Sequence, residues 1–280
     1  MTFDFHTHTF PQKIAAAALE KLSAASHSPA FCDGTAEGLR RSMKEGKIDF
    51  SVVLPVATNP EKVVKMNTVS IEENGRDGLL YFGCMHPDFP DFKKELRRLA
   101  AEGLRGIKIH PVYQGCDIDD IRFLRILSAA GEEDLAVVMH AGDDIGFPGA
   151  VRAAPEQIAR ARKQLGKMKL ILAHMGGWKN WDRVQECLAD SDVMLDTSFS
   201  LGRIPQKQEP YYSPEEERLL SAEIFCDLVR AFGSERILFG TDSPWTDQKM
   251  SVEAFLALPL TQKEKDDVLC NNARRILCFS

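Results

Sequence analysis

The chain has 280 residues, of which 44% are hydrophobic and 27% charged, a composition typical of a globular protein that can bury a large core. A formal net charge of −6, without a cluster of lysines and arginines, argues against a nucleic-acid partner. The apolar runs are too short to cross a membrane and the seven cysteines have no Cys-x-x-Cys spacing, so we expect a cytoplasmic protein with reduced thiols and no membrane partner.

Short apolar runs alternate with longer amphipathic segments along the whole chain. The runs recur at intervals of roughly 30 residues, the length of a βα unit. Eight strands are predicted, over residues 2–6, 50–54, 80–85, 106–110, 136–140, 170–174, 193–196 and 236–240. Helices are predicted over residues 14–24, 36–45, 61–73, 91–102, 118–130, 155–165, 181–189 and 214–232.

This alternation predicts parallel strands joined by crossover helices, and eight such units suit closure into an α/β (β/α)8 TIM barrel. The competing fold, an open doubly wound sheet, usually has a glycine-rich phosphate loop after its first strand. Here the first strand is followed by His6-Thr7-His8 instead. We therefore predict a single barrel domain over residues 1–280, with closing helices over 260–280.

Two connections are longer than folding requires, over residues 141–154 and 200–213. Each follows a strand that ends in polar residues. Long loops after barrel strands lie on the catalytic face and often act as lids, although simple surface decoration is the alternative. We interpret both segments as candidate lids.

Six of the seven histidines lie at or just after the C-terminal end of a predicted strand, where barrel enzymes place their active sites. The six are His6, His8, His86, His110, His140 and His174. A single histidine at such a position is often structural. Six on one face are difficult to assign to packing alone.

The spacing of these histidines suggests a metal site. Residues 6 and 8 project from the same face of a strand, so His6 and His8 can share one ion. His140 and His174 end adjacent strands, and imidazole donors suit zinc or another first-row metal. Asp242 ends the eighth strand, where a carboxylate can bind the ion and accept a proton from water. Each residue alone could also cap a strand or form a turn.

Lys108 and His110 should both face the interior of the barrel, with Ile107 and Ile109 facing outward toward the helices. A lysine there is costly unless it is paired. We favour a simple ion pair with a carboxylate such as Asp4 or Asp196. Carbamylation of Lys108, which would then bridge two metals, is the alternative.

Together these residues resemble the amidohydrolase superfamily, in particular its amidohydrolase-related (amidohydrolase 2) branch of TIM-barrel, metal-dependent hydrolases and decarboxylases. The resemblance covers essentially the whole chain. It rests on Phe5-His6-Thr7-His8, Gly106-Ile107-Lys108-Ile109-His110-Pro111, His140, His174-Met175-Gly176-Gly177 and Leu238-Phe239-Gly240-Thr241-Asp242-Ser243-Pro244. It implies that His6, His8, His140 and Asp242 bind a first metal. It also implies that His174 binds a second metal or orients the substrate.

We expect a hydrolase that cleaves an amide, lactone or ester bond of a small molecule with metal-activated water. Asp242 and His174 are the expected catalytic residues, and one or two zinc ions the expected cofactor. Candidate substrate-binding residues on the same face are Lys108, His110, Arg203, Trp178 and Trp245, together with Arg152 and Lys179.

Other functions stay open. The same metal donors would serve a non-oxidative decarboxylase of an aromatic or unsaturated carboxylic acid. A TatD-like nuclease or phosphoesterase also begins with His-x-His, but that group usually has a glutamate on the fourth strand, where this chain has Lys108. A barrel that only binds a ligand ranks last. A homodimer is a further expectation.

Overall fold

Short parallel strands form the wall of a barrel in the computed structural model, which describes residues 1–207 and 211–279. The strands are β1 Phe3–Thr7, β2 Phe50–Val53, β3 Leu79–Tyr81, β4 Gly83–Cys84, β5 Gly106–Ile109, β6 Ala136–Met139, β7 Leu170–Leu172, β8 Met194–Asp196 and β9 Ile237–Leu238. Only Phe82 separates β3 from β4, so the two share one position in the wall. The described strands therefore occupy the eight positions predicted from the sequence.

Hydrogen bonds between the first and last strands close the ring. Strand order is β1-β2-β3 in one hydrogen-bonded set and β4-β5-β6-β7-β8-β9 in the other. The backbone N–H of Phe5 donates to Phe239 O at 2.7 Å, and that of His8 donates to Ser243 O at 2.7 Å. The predicted TIM barrel is confirmed.

Helices cover the outside of the wall. They are α1 Ala15–Ser26, α2 Ala36–Gly46, α3 Val63–Glu73, α4 Phe92–Ala101, α5 Ile121–Glu132, α6 Pro155–Arg162, α7 Trp181–Leu188, α8 Ala222–Phe232, α9 Gln248–Leu256, α10 Gln262–Asp266 and α11 Asn272–Leu277. Within the described residues, no helix is both long and apolar enough to cross a membrane.

The predicted helix over 214–232 is wrong in its first half. Helix α8 begins at Ala222 because the side chain of Ser221 caps it, accepting a hydrogen bond from Ile224 N. The residues before it pair instead with the loop after β8, where Leu220 bridges Leu201. Helix α9, capped by Asp247, was not predicted from the sequence.

Apolar side chains fill the barrel and close its lower end. Ile107 and Ile109 pack in the layer between strands and helices, as the alternation along β5 predicts. Inside, Phe5 and Val138 pack together with Ile276 of α11. The ring of Phe279 lies 5.4 Å from that of Phe3, which begins β1. Helix α11 thus lies at the N-terminal ends of the strands, which leaves their C-terminal ends for a functional site.

Candidate metal centre

The fold brings His6, His8 and Asp242 together at the C-terminal ends of β1 and β9. One ligand atom from each lies within 4.8 Å of the others. Asp242 Oδ1 is 3.1 Å from His8 Nε2 and 3.6 Å from His6 Nε2. The N–H of Asp242 donates to His6 O at 2.8 Å and its φ is 70°, an unusual backbone conformation of a kind that clusters at functional sites.

His140 and His174 form an adjacent pair rather than joining that three-residue group. His140 Nδ1 lies 3.0 Å from His174 Nε2. The rings of His174 and His6 are 5.4 Å apart, so the pair adjoins the first group. His140 also belongs to a second cluster, with His110 and Asp144, whose ligand atoms lie within 4.8 Å of one another.

Backbone carbonyl groups determine which nitrogen carries the proton in three of these rings. The distances are 2.8 Å from His8 Nδ1 to Leu54 O, 2.9 Å from His174 Nδ1 to Ser198 O and 3.0 Å from His140 Nε2 to Asp143 O. A carbonyl oxygen can only accept, so each of these ring nitrogens donates. The opposite nitrogen of each neutral ring therefore has a free lone pair, the form in which histidine binds a metal.

The pair of His140 and His174 fits a cation between its facing nitrogens. Burial lowers the pKa of His140 well below its usual value, and the neighbouring His110 and His174 lower it further, so the ring is neutral at pH 7. Each ring uses its other nitrogen against a carbonyl oxygen, so the two nitrogens that lie 3.0 Å apart are the ones available as metal ligands. Two imidazole donors side by side fit a divalent metal.

Asp196 and Ser198 hold His6 from behind. The Nδ1–H of His6 donates to Asp196 Oδ2 at 2.8 Å, which leaves Nε2 free to bind. Burial opposes ionisation of Asp196, but His6, His174 and Lys108 outweigh it and keep the pKa of this carboxyl low. The sequence offered one signal, an acidic residue ending the seventh predicted strand, but it suggested Asp196 as a partner for Lys108.

The ion pair expected for Lys108 is wrong. No carboxylate oxygen of the described residues lies within 4.0 Å of Lys108 Nζ, which instead lies 3.0 Å from His6 Nε2. The imidazole of His6 stands between Lys108 and Asp196, and Asp4 is bound by Thr241. Lys108 is only 1% exposed, and burial lowers its pKa to about 8.

His110 and Asp144 lie beside the metal donors. His110 Nε2 is 3.4 Å from Asp144 Oδ2, and the His110 ring stacks on those of His140 at 4.1 Å and Tyr113 at 3.9 Å. Phe147 lies 5.1 Å from Tyr113. Asp144 comes from the loop over 141–154, and the sequence analysis did not single it out.

The two predicted substrate-binding tryptophans differ in their surroundings. Trp178 is buried, and its indole N–H donates to Phe199 O at 3.0 Å. Trp245 is half-buried next to the metal donors, and its backbone N–H donates to Asp242 O at 2.8 Å. Of the two, Trp245 has the better position to contact a ligand.

The loop cations that were predicted to bind substrate instead contact other protein groups. Arg203 is 62% exposed and pairs with Glu217, and Arg152 pairs with Asp117 at 3.1 Å. The Lys179 ammonium donates to two backbone carbonyl groups. His86 belongs to neither cluster, and its Nδ1 accepts a hydrogen bond from Asp88 N. The candidate lid over 200–213 includes residues 208–210, which lie outside the described residues.

Comparisons with known proteins identify the family and the fold. The sequence profile of the family described as Amidohydrolase matches residues 4–279. No curated protein sequence gives a significant match to the chain. The fold is similar to that of an uncharacterized TIM-barrel protein from Bordetella bronchiseptica, with a TM-score of 0.72 and 17% identity over 99% of this chain and 98% of that one.

Two further structures of similar fold are named as enzymes. One is a putative 2-pyrone-4,6-dicarboxylic acid hydrolase from Pseudomonas putida, with a TM-score of 0.65 and 18% identity over 100% of this chain and 98% of that one. The other is a 5-carboxyvanillate decarboxylase from Novosphingobium aromaticivorans with bound manganese, with a TM-score of 0.72 and 14% identity over 100% and 97%. These identities show the fold alone, whereas the profile match shows the family. The chain belongs to the amidohydrolase family.

Proposed function

We propose that this protein is a metal-dependent hydrolase that cleaves an amide, lactone or ester bond of a small molecule. The observation that carries the proposal is the meeting of Asp242 with His6 and His8, beside the pair of His140 and His174, at the C-terminal ends of the strands. Barrel enzymes place their chemistry at this face.

The ion would be held by His6, His8 and Asp242, with His140 Nδ1 and His174 Nε2 as further donors. Nitrogen and carboxylate donors suit several first-row metals, and zinc is the one that we propose. The manganese in the related decarboxylase makes manganese the alternative to test. A bound divalent ion lowers the pKa of water to about 7 and polarises a carbonyl oxygen.

Asp242 would accept the proton of the attacking water and pass it to the leaving group. Burial opposes its ionisation, but the neighbouring imidazoles of His8, His6 and His174 outweigh it and hold the pKa of Asp242 well below the usual range. The carboxylate is thus ionised at neutral pH. His174 would orient the carbonyl oxygen of the substrate.

The charges near the site favour an uncharged reacting group. Of the loop cations that the sequence suggested, Arg152, Arg203 and Lys179 are all bound to other groups, so none of these three is free to pair with a substrate carboxylate. His110 and Asp144 instead offer neutral and anionic contacts beside the donors. This observation favours hydrolysis of a neutral bond over decarboxylation.

A non-oxidative decarboxylase is the second candidate, and Lys108 favours it. Its buried ammonium lies 3.0 Å from His6 Nε2, where a substrate carboxylate could pair with it. The fold shared with a 5-carboxyvanillate decarboxylase is consistent with this alternative.

The test combines metal analysis with two activity screens. We expect wild type purified with zinc to hold at least one ion per chain and to hydrolyse a member of a panel of lactones, esters and amides. Because Asp242 carries the proton, Asp242→Asn should lower kcat by about 100-fold to 10,000-fold. A matched control is Asp247→Asn, which retains the side-chain cap of α9 and changes a carboxylate that is not among the metal donors.

Each screen has an outcome against the proposal. Release of carbon dioxide from aromatic acids, without any hydrolysis, would replace the hydrolase with the decarboxylase. A wild type that holds no divalent ion after incubation with zinc or manganese would overturn both candidates.

A further inference from the structure

The carboxylate of Asp196 contacts two histidine-bearing segments at once. Oδ2 accepts the Nδ1–H of His6 at 2.8 Å. Oδ1 accepts the backbone N–H of His174 at 3.2 Å and the hydroxyl of Ser198 at 2.5 Å. Asp196 is fully buried, so these groups satisfy a charge that has no access to water.

The hydroxyl of Ser198 extends this contact. Its Oγ lies 3.0 Å from Nδ1 of His6 and 3.0 Å from Nδ1 of His174. In each ring this Nδ1 is the nitrogen opposite the Nε2 atom that would bind the metal. Asp196 and Ser198 therefore lie behind the two rings and connect the end of β1 with the end of β7 through β8.

We propose that Asp196 is a positioning residue that sets the tautomer of His6 and fixes His6 and His174 for metal binding. The inference rests on the proposed function, since it requires that His6 binds an ion. An ionised carboxylate can only accept, so it holds the proton of His6 on Nδ1 and leaves Nε2 free. Carboxylates that hold a metal-binding histidine in this way typically contribute a factor of about 10 to 100 to metal affinity.

The variant Asp196→Asn separates this role from simple packing. Asparagine has nearly the same shape, and its oxygen can still accept the hydrogen bonds of His174 N and Ser198. Its amide N–H₂ would donate to His6 Nδ1, so the proton of His6 would move to Nε2 and block the atom that faces the metal.

The experiment uses zinc alone as the probe, in competition with a chromophoric chelator. We expect zinc binding to Asp196→Asn to be 10-fold to 100-fold weaker than to wild type. The matched control is Asp267→Asn, another buried carboxylate, which accepts a hydrogen bond from Ser234 away from the histidines. It should bind zinc like wild type.

Two further measurements guard the interpretation. Circular dichroism of the metal-free proteins checks that Asp196→Asn is folded. Nitrogen NMR of metal-free wild type reads the tautomer of His6 directly, and we expect the proton on Nδ1. A proton on Nε2, or equal zinc affinity in folded Asp196→Asn and wild type, would overturn the role of Asp196 alone. A wild type that binds no zinc would overturn the proposed function as well.

Discussion

The ammonium group of Lys108 competes with a metal ion for His6 Nε2, because the two atoms lie 3.0 Å apart. Its pKa of about 8 means that the competing charge is present at neutral pH and disappears as the pH rises above 8. The affinity for a metal should therefore increase with pH across this range.

We expect Lys108→Met to bind zinc about tenfold more tightly than wild type at pH 7. At one pH unit below a pKa of about 8, the ammonium form of Lys108 outnumbers the neutral amine about tenfold, and only the ammonium form competes with the metal. The difference should vanish near pH 9. Chelator competition from pH 6 to 9 measures it. A loss of zinc in Lys108→Met would contradict this account and indicate that a carbamylated Lys108 serves as a ligand.

Single residues differ in how far their contacts follow from the sequence. His6, His8 and Asp242 end parallel strands, and barrel geometry alone brings such positions together. The partners of Lys108 depend on which ring lies between it and Asp196, which periodicity does not encode. Asp144 reaches the site through the path of a loop, and loop paths follow from local turns that the sequence pattern indicates only weakly.

Strand β5 carries Lys108 and leads directly to His110, and its first residue must be small. A Cβ added to Gly106 would lie 2.3 Å from the ring of Phe82 and 2.4 Å from Ala136 O. Neither atom can move freely, because both belong to the wall of the barrel. Glycine at this point lets β5 approach its neighbours.

We expect Gly106→Ala to destabilise the protein by about 1–3 kcal/mol, the usual cost of forcing extra volume into a packed interior. Displacement of β5 should also weaken zinc binding, since Lys108 and His110 move with it. Urea denaturation measures the first effect. The control is Gly166→Ala, where an added Cβ meets nothing within 4 Å. Equal stability of the two variants would show that β5 adapts without strain.

The strands were predicted better than the helix boundaries. Apolar runs marked the strands to within about two residues, because parallel strands are buried on both faces and read as continuous apolar runs. The start of α8 depended on Ser221, while the residues before it paired with a distant loop. Such a tertiary contact overrides local propensity.

At the scale of the whole molecule, metal binding should stabilise the fold, because the donors meet only in the closed barrel. We expect zinc at 100 times its Kd to stabilise the protein by about 2.7 kcal/mol and, at roughly 2–4 °C per kcal/mol for a chain of this size, to raise the Tm by roughly 5–11 °C. Thermal unfolding with zinc and with a chelator measures the shift. Asp242→Asn, which lacks one donor charge, should show a smaller rise. An equal rise in both proteins would mean that zinc binds elsewhere.

The barrel closes between its first and last strands, and the metal donors come from both sides of this junction. His6 and His8 belong to the beginning of the chain, whereas Asp242 follows β9. During synthesis the two histidines leave the ribosome first, and the group of three donors is incomplete until Asp242 has followed. Capture of the ion is therefore a late event, and a nascent chain stalled before β9 should remain unmetallated even when zinc is abundant.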